Sequence, residues 1–70
     1  DGRCLRTRRY KYTLWEGQEP REMLIDIEKD PGEMTNLASN PALAPSLADH
    51  RRRLRQSIEA IGDAFGRSLL

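Results

Sequence analysis

The segment Glu22–Pro41, EMLIDIEKDPGEMTNLASNP, decides the fold. Over residues 22–28 the side chains alternate between one side with Met23, Ile25 and Ile27 and another with Glu22, Leu24, Asp26 and Glu28. A period of two is typical of a half-buried antiparallel strand. Helix propensity leaves a helix as an alternative, but the Asp-Pro pair that follows favours a strand. We therefore predict a strand at residues 22–28.

A tight turn follows this strand at residues 30–33. Pro31 presets φ for the second turn position, and Gly32 can supply the positive φ that a type II turn needs at the third. Asp30 can accept a hydrogen bond from a nearby backbone N–H. We interpret Asp30, Glu33 and Asn36 as turn and cap residues rather than ligands. Met34 and Leu37 are expected to return toward the sheet.

Two further strands are predicted upstream, at residues 3–7 and 10–15. The second reads YKYTLW and is rich in aromatic and β-branched residues. Its alternation places Tyr10, Tyr12 and Leu14 on one face and Lys11, Thr13 and Trp15 on the other. The segment EGQEP at residues 16–20 is a polar loop that contains Gly17 and Pro20.

A helix is predicted at residues 41–61 or beyond. Asn40 suits the N-cap and Pro41 the first helical position. One stripe carries the apolar residues Leu43, Leu47, Leu54, Ile58, Ile61, Phe65 and Leu69. Pro45 predicts either a kinked first turn or a helix that restarts there. Gly62 and Gly66 predict fraying past Ile61.

These elements predict the α+β class, with a small antiparallel sheet of about three strands packed against one C-terminal amphipathic α-helix. We expect the helix to cover one sheet face and the other to retain Leu24 and Trp15, with Leu5 beside them. A partly apolar exposed face is marginal by itself. The face is therefore expected to dock on a larger domain or on a second copy of the chain.

Composition limits the chain to one small domain of 70 residues. Cys4 is the only cysteine, so no internal disulfide forms, and with the single His50 it cannot build a Cys/His zinc cluster. The 12 basic and 11 acidic residues give no general argument for nucleic acid. No apolar run approaches the ~20 residues that span a membrane. Asp1, in place of an initiator Met, is expected to mark a piece of a longer protein, so no compartment is predicted.

The arginine-rich segment Arg51–Arg55 lies within the predicted helix. Its arginines spread around the polar arc without interleaved aromatic residues, which favours a solvated face over a phosphate-binding one. Asp49 and Arg53 are spaced for an ion pair. His50 is expected at the surface of the same arc. The alternative, an interaction module that binds nucleic acid or acidic partners through this face, remains open at this point.

The order of motifs resembles the C-terminal region of formylglycine-dependent sulfatases. The residues that carry the resemblance are Leu5-Arg6-Thr7-x-Arg9-Tyr10-Lys11-Tyr12, then Leu24-Ile25-Asp26-Ile27-x-x-Asp30-Pro31-x-Glu33-x-x-Asn36-Leu37. The family commonly has an R-T-x-x-Y-K-Y strand, a strand of the type L-[YF]-D-L, then D-P-x-E-x-x-N-L and a terminal helix. Ile25 departs from the usual aromatic residue but is also a β-former.

The resemblance implies a parent enzyme that hydrolyses sulfate esters or sulfamates, with a formylglycine nucleophile and Ca²⁺ in an upstream catalytic domain. That domain would be the partner of this subdomain, and one further strand would precede Asp1. Within the chain we expect no cofactor and no catalytic residue. Cys4 and Arg8 half match the formylglycine motif C-x-[PA]-x-R, but Arg6 stands where proline or a small residue is required.

Lys11 and the loop at residues 16–20, with Gln18, are the candidates for a substrate rim. Asp30, Pro31, Gly32, Asn36 and Asn40 are predicted to be structural turn and cap residues. Self-association through an exposed sheet edge or face is a further possibility for the chain alone.

Overall fold

A computed structural model describes residues 2–17 and 19–62 of the chain. Its elements are the strands β1 (Gly2–Arg6), β2 (Tyr10–Trp15) and β3 (Glu22–Asp26), a short 3-10 helix (Pro41–Leu43) and the helix α1 (Ala44–Ile61). The strands form one antiparallel sheet in the order β1-β2-β3. The predicted α+β class, a small antiparallel sheet with one helix, is confirmed.

The third strand is shorter than the predicted 22–28. It ends at Asp26, and residues 27–29 form a turn instead. The Asp26 carboxylate accepts the backbone N–H groups of Glu28 and Lys29, both at 3.1 Å. The Asp26 carbonyl accepts the N–H of Asp30 at 2.7 Å. These contacts bend the backbone away from the ladder, as an Asp side chain commonly does in turns.

The strand register decides which sheet face α1 covers. Tyr12 lies opposite Leu5 in β1 and opposite Leu24 in β3, so the three side chains share a face. The core on that face consists of Tyr12, Leu14, Leu24, Leu47, Leu54 and Ile58, with Leu5, Tyr10, Leu37, Ala38 and Leu43 packed against it. The expectation that Leu24 and Leu5 lie on the uncovered face is therefore wrong.

The second sheet face carries Trp15, Met23 and Ile25. Ile25 is only 2% exposed there, whereas Trp15 and Met23 are half-buried. The segment after β3 folds back across this face, since Glu33 pairs with Lys11, the cross-strand neighbour of Ile25. The Trp15 indole lies over Gly2, where an added Cβ would come within 2.7 Å of Cδ1. Trp15 thus lies on the predicted face.

The two outer edges of the sheet differ. Along β3 the Asn36 side chain donates to the Glu22 carbonyl at 3.0 Å and accepts the Leu24 N–H at 3.1 Å. The Leu37 N–H donates to the Leu24 carbonyl at 2.8 Å. Backbone groups that would be free at this edge are therefore paired by the chain itself.

Among the described residues, the edge at β1 is less covered: the Arg3 guanidinium donates to the Gly2 carbonyl at 3.0 Å, a contact within the same strand. The Thr7 N–H donates to the Tyr10 carbonyl, so these two residues form a hydrogen-bonded pair. Hydrogen-bonded and non-hydrogen-bonded pairs then alternate along β1 and β2. Gly2, Cys4 and Arg6 lie in the non-hydrogen-bonded pairs, so their backbone N–H and C=O groups point away from β2.

The helical region begins in two steps. Asn40 caps the 3-10 helix by accepting the Ala42 N–H at 3.0 Å, and Pro41 occupies its first turn. The α-helix restarts at Ala44 with Pro45 in its first turn, where a missing N–H is tolerated. It ends at Ile61 before Gly62, whose φ of 73° gives a left-handed C-cap.

Several sequence expectations around α1 are wrong. His50 is 4% exposed and lies in the helix–sheet junction, not on the polar arc. Ile61 is 78% exposed and Met34 85%, so neither packs on the sheet. The expected stripe residues Phe65 and Leu69, with Gly66, lie outside the described residues. Within the described ranges, no helix has the length and apolarity needed to cross a bilayer.

Candidate functional site

Lys11 lines a groove on the second sheet face. The groove has a volume of about 430 Å³ and is lined by Cys4, Arg6, Lys11, Ile27, Pro31 and Glu33. Lys11 Nζ donates to Glu33 Oε1 at 2.7 Å, and this hydrogen bond raises the pKa of Lys11. Both side chains remain well exposed. The groove thus places an ion pair, a guanidinium and a thiol beside the apolar side chains of Ile27 and Pro31.

A second pocket lies at the other end of the sheet, beside the β2–β3 loop. Its volume is about 370 Å³ and its lining is Glu19, Pro20, Arg21, Glu22, Asn36, Ala38 and Ser39. The candidate Gln18 lies outside the described residues. Lys11 does not line this pocket, so the structure does not bring Lys11 and the β2–β3 loop together in one cavity.

The turn residues singled out in the sequence have structural contacts. Asp30 accepts the N–H of Met34 at 3.2 Å and of Thr35 at 2.9 Å through its two carboxylate oxygens. The Asp30 carbonyl accepts the Glu33 N–H at 2.9 Å, which closes the turn around Pro31. The positive φ of 54° falls on Glu33 and not on Gly32, so the type II expectation is wrong.

A charged cluster that the sequence did not reveal joins α1 to the sheet. Glu22 accepts two hydrogen bonds from Arg51, each 2.6 Å, and one from the Tyr12 hydroxyl at 2.6 Å. The Arg51 hydrogen bond holds the pKa of Glu22 below its ordinary value. Burial, with the hydrogen bond to Glu22, raises the pKa of Tyr12. We call Tyr12, Glu22 and Arg51 the helix clamp.

A second buried carboxylate closes the β3 end of the sheet. Asp26 is 6% exposed, and its carboxylate accepts hydrogen bonds from Nε and Nη2 of Arg9. The shortest of these joins Arg9 Nη2 to Asp26 Oδ2 at 2.8 Å. The Arg9 hydrogen bonds, with the N–H groups of the following turn, lower the pKa of Asp26 to about 2. The Arg9 guanidinium also lies 5.5 Å from the Tyr10 ring centroid. This arrangement fixes the β1–β2 turn to the end of β3.

Three arginines of α1 pair with carboxylates rather than forming one exposed basic surface. Arg51 belongs to the helix clamp, while Arg52 and Arg53 both pair with Asp49, the latter at 2.8 Å. The predicted Asp49–Arg53 pair is therefore present. Nothing in this arrangement supports the alternative of a phosphate-binding face.

The charged groups described so far hold elements together and do not converge on a common point. The described residues include no group of three His, Cys, Asp or Glu side chains that could hold a metal ion. The geometry of residues 2–17 and 19–62 thus supplies a scaffold that carries the two pockets described above.

Comparison with known proteins identifies the origin of this scaffold. Over 65 residues, which are 91% of this chain, the sequence is 46% identical to a Δ4,5-hexuronate-2-O-sulfatase of Bacteroides thetaiotaomicron. Over 45 residues, 64% of the chain, it is 42% identical to an ulvan-active sulfatase of Formosa agariphila. The chain is related to the sulfatases. This confirms the resemblance carried by the strand and turn motifs.

The sulfatase-related chain covers only a small part of these proteins. The matched regions are 13% of the first relative and 8% of the second. No protein-family profile matches the chain, and no solved structure matches it.

Proposed function

We propose that this chain is a C-terminal structural and substrate-rim subdomain of a sulfatase that hydrolyses sulfate esters of acidic saccharides. The observation that carries the proposal is the 46% identity over 91% of the chain with a hexuronate-2-O-sulfatase. The second relative is named for activity on ulvan. Both names point to saccharide substrates, and the first names a uronate, which is an anion.

The chain itself is non-catalytic in this proposal. Sulfate ester hydrolysis by this family needs a nucleophile and a cation that stabilises charge on the sulfuryl oxygens. Cys4 lies exposed in an edge strand, and the carboxylates of Glu22, Asp26, Asp30 and Glu33 are bound to arginines, lysine and backbone N–H groups. The formylglycine and Ca²⁺ sites are therefore assigned to the remainder of the parent protein.

The second sheet face and the β1 edge are the proposed contacts with that remainder. Trp15 and Met23 stay half-buried on this face, and the outward backbone groups of Cys4 and Arg6 have no hydrogen-bond partner among the described residues. In the first relative, nearly nine-tenths of the polypeptide lies outside the region that resembles this chain. A catalytic domain of that size can cover both surfaces.

Activity measurements on chain and parent test the proposal. The purified chain should not cleave an aryl sulfate or a 2-O-sulfated unsaturated uronate, with or without Ca²⁺, whereas the parent should release sulfate from the uronate. Turnover by the purified chain, or a parent that is inert toward every sulfate ester tried, would contradict the proposal.

The rim role of Lys11 has its own test in the parent. Lys11 is more than one-third exposed, and solvent screens an exposed ionic contact so that it contributes little. Lys11→Met should therefore raise KM for the sulfated uronate by up to about fivefold and leave kcat unchanged. Lys29→Met, also an exposed lysine but in the turn after β3, is the matched control and should leave KM unchanged.

A further inference from the structure

Two cationic side chains lie directly opposite each other on the second sheet face. Arg6 in β1 is the cross-strand neighbour of Lys11 in β2. Because the adjacent pair, Thr7 and Tyr10, is hydrogen-bonded, Arg6 and Lys11 form a non-hydrogen-bonded pair, in which side chains approach each other most closely. Like charges in this position destabilise a sheet. The stability of the sheet therefore does not explain the pair.

One carboxylate offsets part of this positive charge. Glu33 Oε1 accepts a hydrogen bond from Lys11 Nζ at 2.7 Å, which raises the pKa of Lys11, whereas the nearby charge of Arg6 acts against this rise. Within residues 2–17 and 19–62, no carboxylate forms a salt bridge with the Arg6 guanidinium. The groove that these three side chains line therefore has more positive than negative charge.

The size and the lining of the groove suit an amphipathic anion. Its volume of about 430 Å³ falls within the range of small-ligand sites. Ile27 and Pro31 supply apolar contact area, and the guanidinium of Arg6 can donate two parallel hydrogen bonds to one oxyanion. An acidic sugar presents C–H groups on its ring and anionic oxygens on its substituents. It is therefore complementary to both parts of the lining.

The groove lies toward one end of the second sheet face. Lys11 and Trp15 are four residues apart in β2, which corresponds to about 13 Å at the rise of a strand. A domain that covers Trp15 therefore leaves room for a ligand at Lys11. A groove beside such a domain contact is in the position that a substrate rim requires.

We propose that this groove is a binding subsite for an acidic saccharide, in which Arg6 and Lys11 bind a sulfate or carboxylate group while Ile27 and Pro31 contact the sugar ring. The inference rests on the proposed function, which supplies the saccharide, and adds the place where the chain recognises its charge. Arg6 is thereby a binding residue that the strand motif alone did not single out. The subsite binds the saccharide and breaks no bond in it.

Alkylation of Cys4 by iodoacetamide measures binding on the 70-residue chain. Cys4 is the only cysteine, it is exposed and it lines the groove, so a bound ligand blocks access to the one thiol. At low salt, about 10 mM of a 2-O-sulfated unsaturated uronate disaccharide should slow alkylation by about threefold, as expected for weak binding through exposed charges. The protection should disappear in about 0.5 M NaCl, because salt screens such charges. A neutral disaccharide should leave the rate unchanged.

Three variants locate the binding. Arg6→Gln should abolish the protection, whereas Arg21→Gln removes the same charge beside the other pocket and should keep it. Glu33→Gln should increase the protection, because it removes the carboxylate that competes with the ligand for Lys11. Protection is the ratio of the rates with and without saccharide for each variant, so a change in the thiol's own reactivity cancels.

An unprotected wild-type chain, or equal protection of Arg6→Gln and Arg21→Gln, would overturn the subsite. Equal slowing by inorganic sulfate would overturn the saccharide as its ligand, and equal slowing by the neutral disaccharide would overturn the role of the two cations. Sulfate release by the parent is a separate measurement. An active parent with an unprotected Cys4 rejects the subsite alone, whereas a protected Cys4 with an inert parent rejects the sulfatase proposal alone.

Discussion

Asn36 is the residue that ties the loop after β3 to the sheet. Its amide makes two hydrogen bonds with the β3 backbone, and its Oδ1 also accepts the Ala38 N–H at 3.0 Å. The Leu24 N–H at this position belongs to a fully buried residue. A side chain that cannot accept would leave that donor unpaired, which costs more than the hydrogen bond contributes when formed.

Asn36→Ala should therefore destabilise the chain by about 2 kcal/mol, since at least one buried donor loses its partner. Asn40→Ala is the matched control, because Asn40 caps an exposed 3-10 helix with one hydrogen bond and should cost about 1 kcal/mol or less. Urea unfolding of both variants measures the difference. Equal losses would show that the edge contacts of Asn36 have no special weight.

Asp26 predicts an acid dependence of stability. Its folded pKa of about 2 lies below the ordinary value of 3.8, so its contribution is fully present above pH 4. That contribution is lost as the pH falls from about 4 toward 2. The Asp26→Asn variant should be less stable than the wild type at pH 7. Its urea unfolding midpoint should also change less with pH between pH 4 and pH 2.

Glu28→Gln is the control for this measurement, as Glu28 is an exposed carboxylate two residues away. It should keep the wild-type slope between pH 4 and pH 2. If Asp26→Asn retained that slope as well, the Arg9 contact would not be the source of the acid sensitivity.

At the scale of elements, the helix clamp is the polar connection between α1 and β3. Glu22 is only 12% exposed, and its two oxygens receive both arms of one guanidinium. A planar fork suits this geometry and a lysine ammonium does not. The clamp therefore fixes the rotation of α1 over the sheet as well as its attachment.

Arg51→Lys should lower the free energy of unfolding by about 1 kcal/mol. The loss is limited because the guanidinium is partly exposed to solvent. The same change at Arg53, which pairs with Asp49 on the helix surface, should cost less than Arg51→Lys, because solvent screens this exposed pair. Thermal unfolding of the two variants in parallel compares them directly. A larger loss for Arg53→Lys would contradict the role given to the clamp.

The element pattern was readable from the sequence because its signals are local. Alternation identified β2 and β3, and Asn40, Pro41 and Pro45 marked the two-step helix start. His50 was missed because it was read with the arginines beside it. The interval of seven residues between Leu47 and Leu54 was the available signal, because the position three residues after Leu47 faces the same side of a helix.

The covered face of the sheet could not be read in the same way. Both faces of β3 carry apolar residues, with Leu24 on one and Met23 and Ile25 on the other. Only the pairing of Tyr12 with Leu5 and Leu24 shows which set packs beneath α1. The helix clamp likewise depends on a contact between residues 29 positions apart, which local patterns do not encode.

At the scale of the whole molecule, the described residues close one edge of the sheet with the loop after β3 and leave the outward N–H groups of Cys4 and Arg6 in β1 uncovered. The outward N–H groups of Cys4 and Arg6 should exchange with solvent faster than the inward ones of Arg3 and Leu5. The Leu24 N–H, although on an outer strand, should be protected by Asn36. Amide hydrogen exchange followed by NMR measures all five groups in one experiment.

The same amides report on the parent protein. If the remainder of a sulfatase pairs with β1, the Cys4 and Arg6 N–H groups should become protected there, while Leu24 should be unchanged. Amides that exchange equally fast in chain and parent would show that the β1 edge stays open and that the proposed contact lies elsewhere.

The position of the Trp15 indole over Gly2 makes its fluorescence informative about the β1 edge of the sheet. Trp15 is the only tryptophan in the sequence, and it rests on the backbone of the first residue of β1. Fluorescence from this ring is therefore sensitive to the β1 edge, where a further strand can pair with the sheet. A strand or surface that arrives there changes the emission without any added label, so the molecule carries its own reporter for assembly.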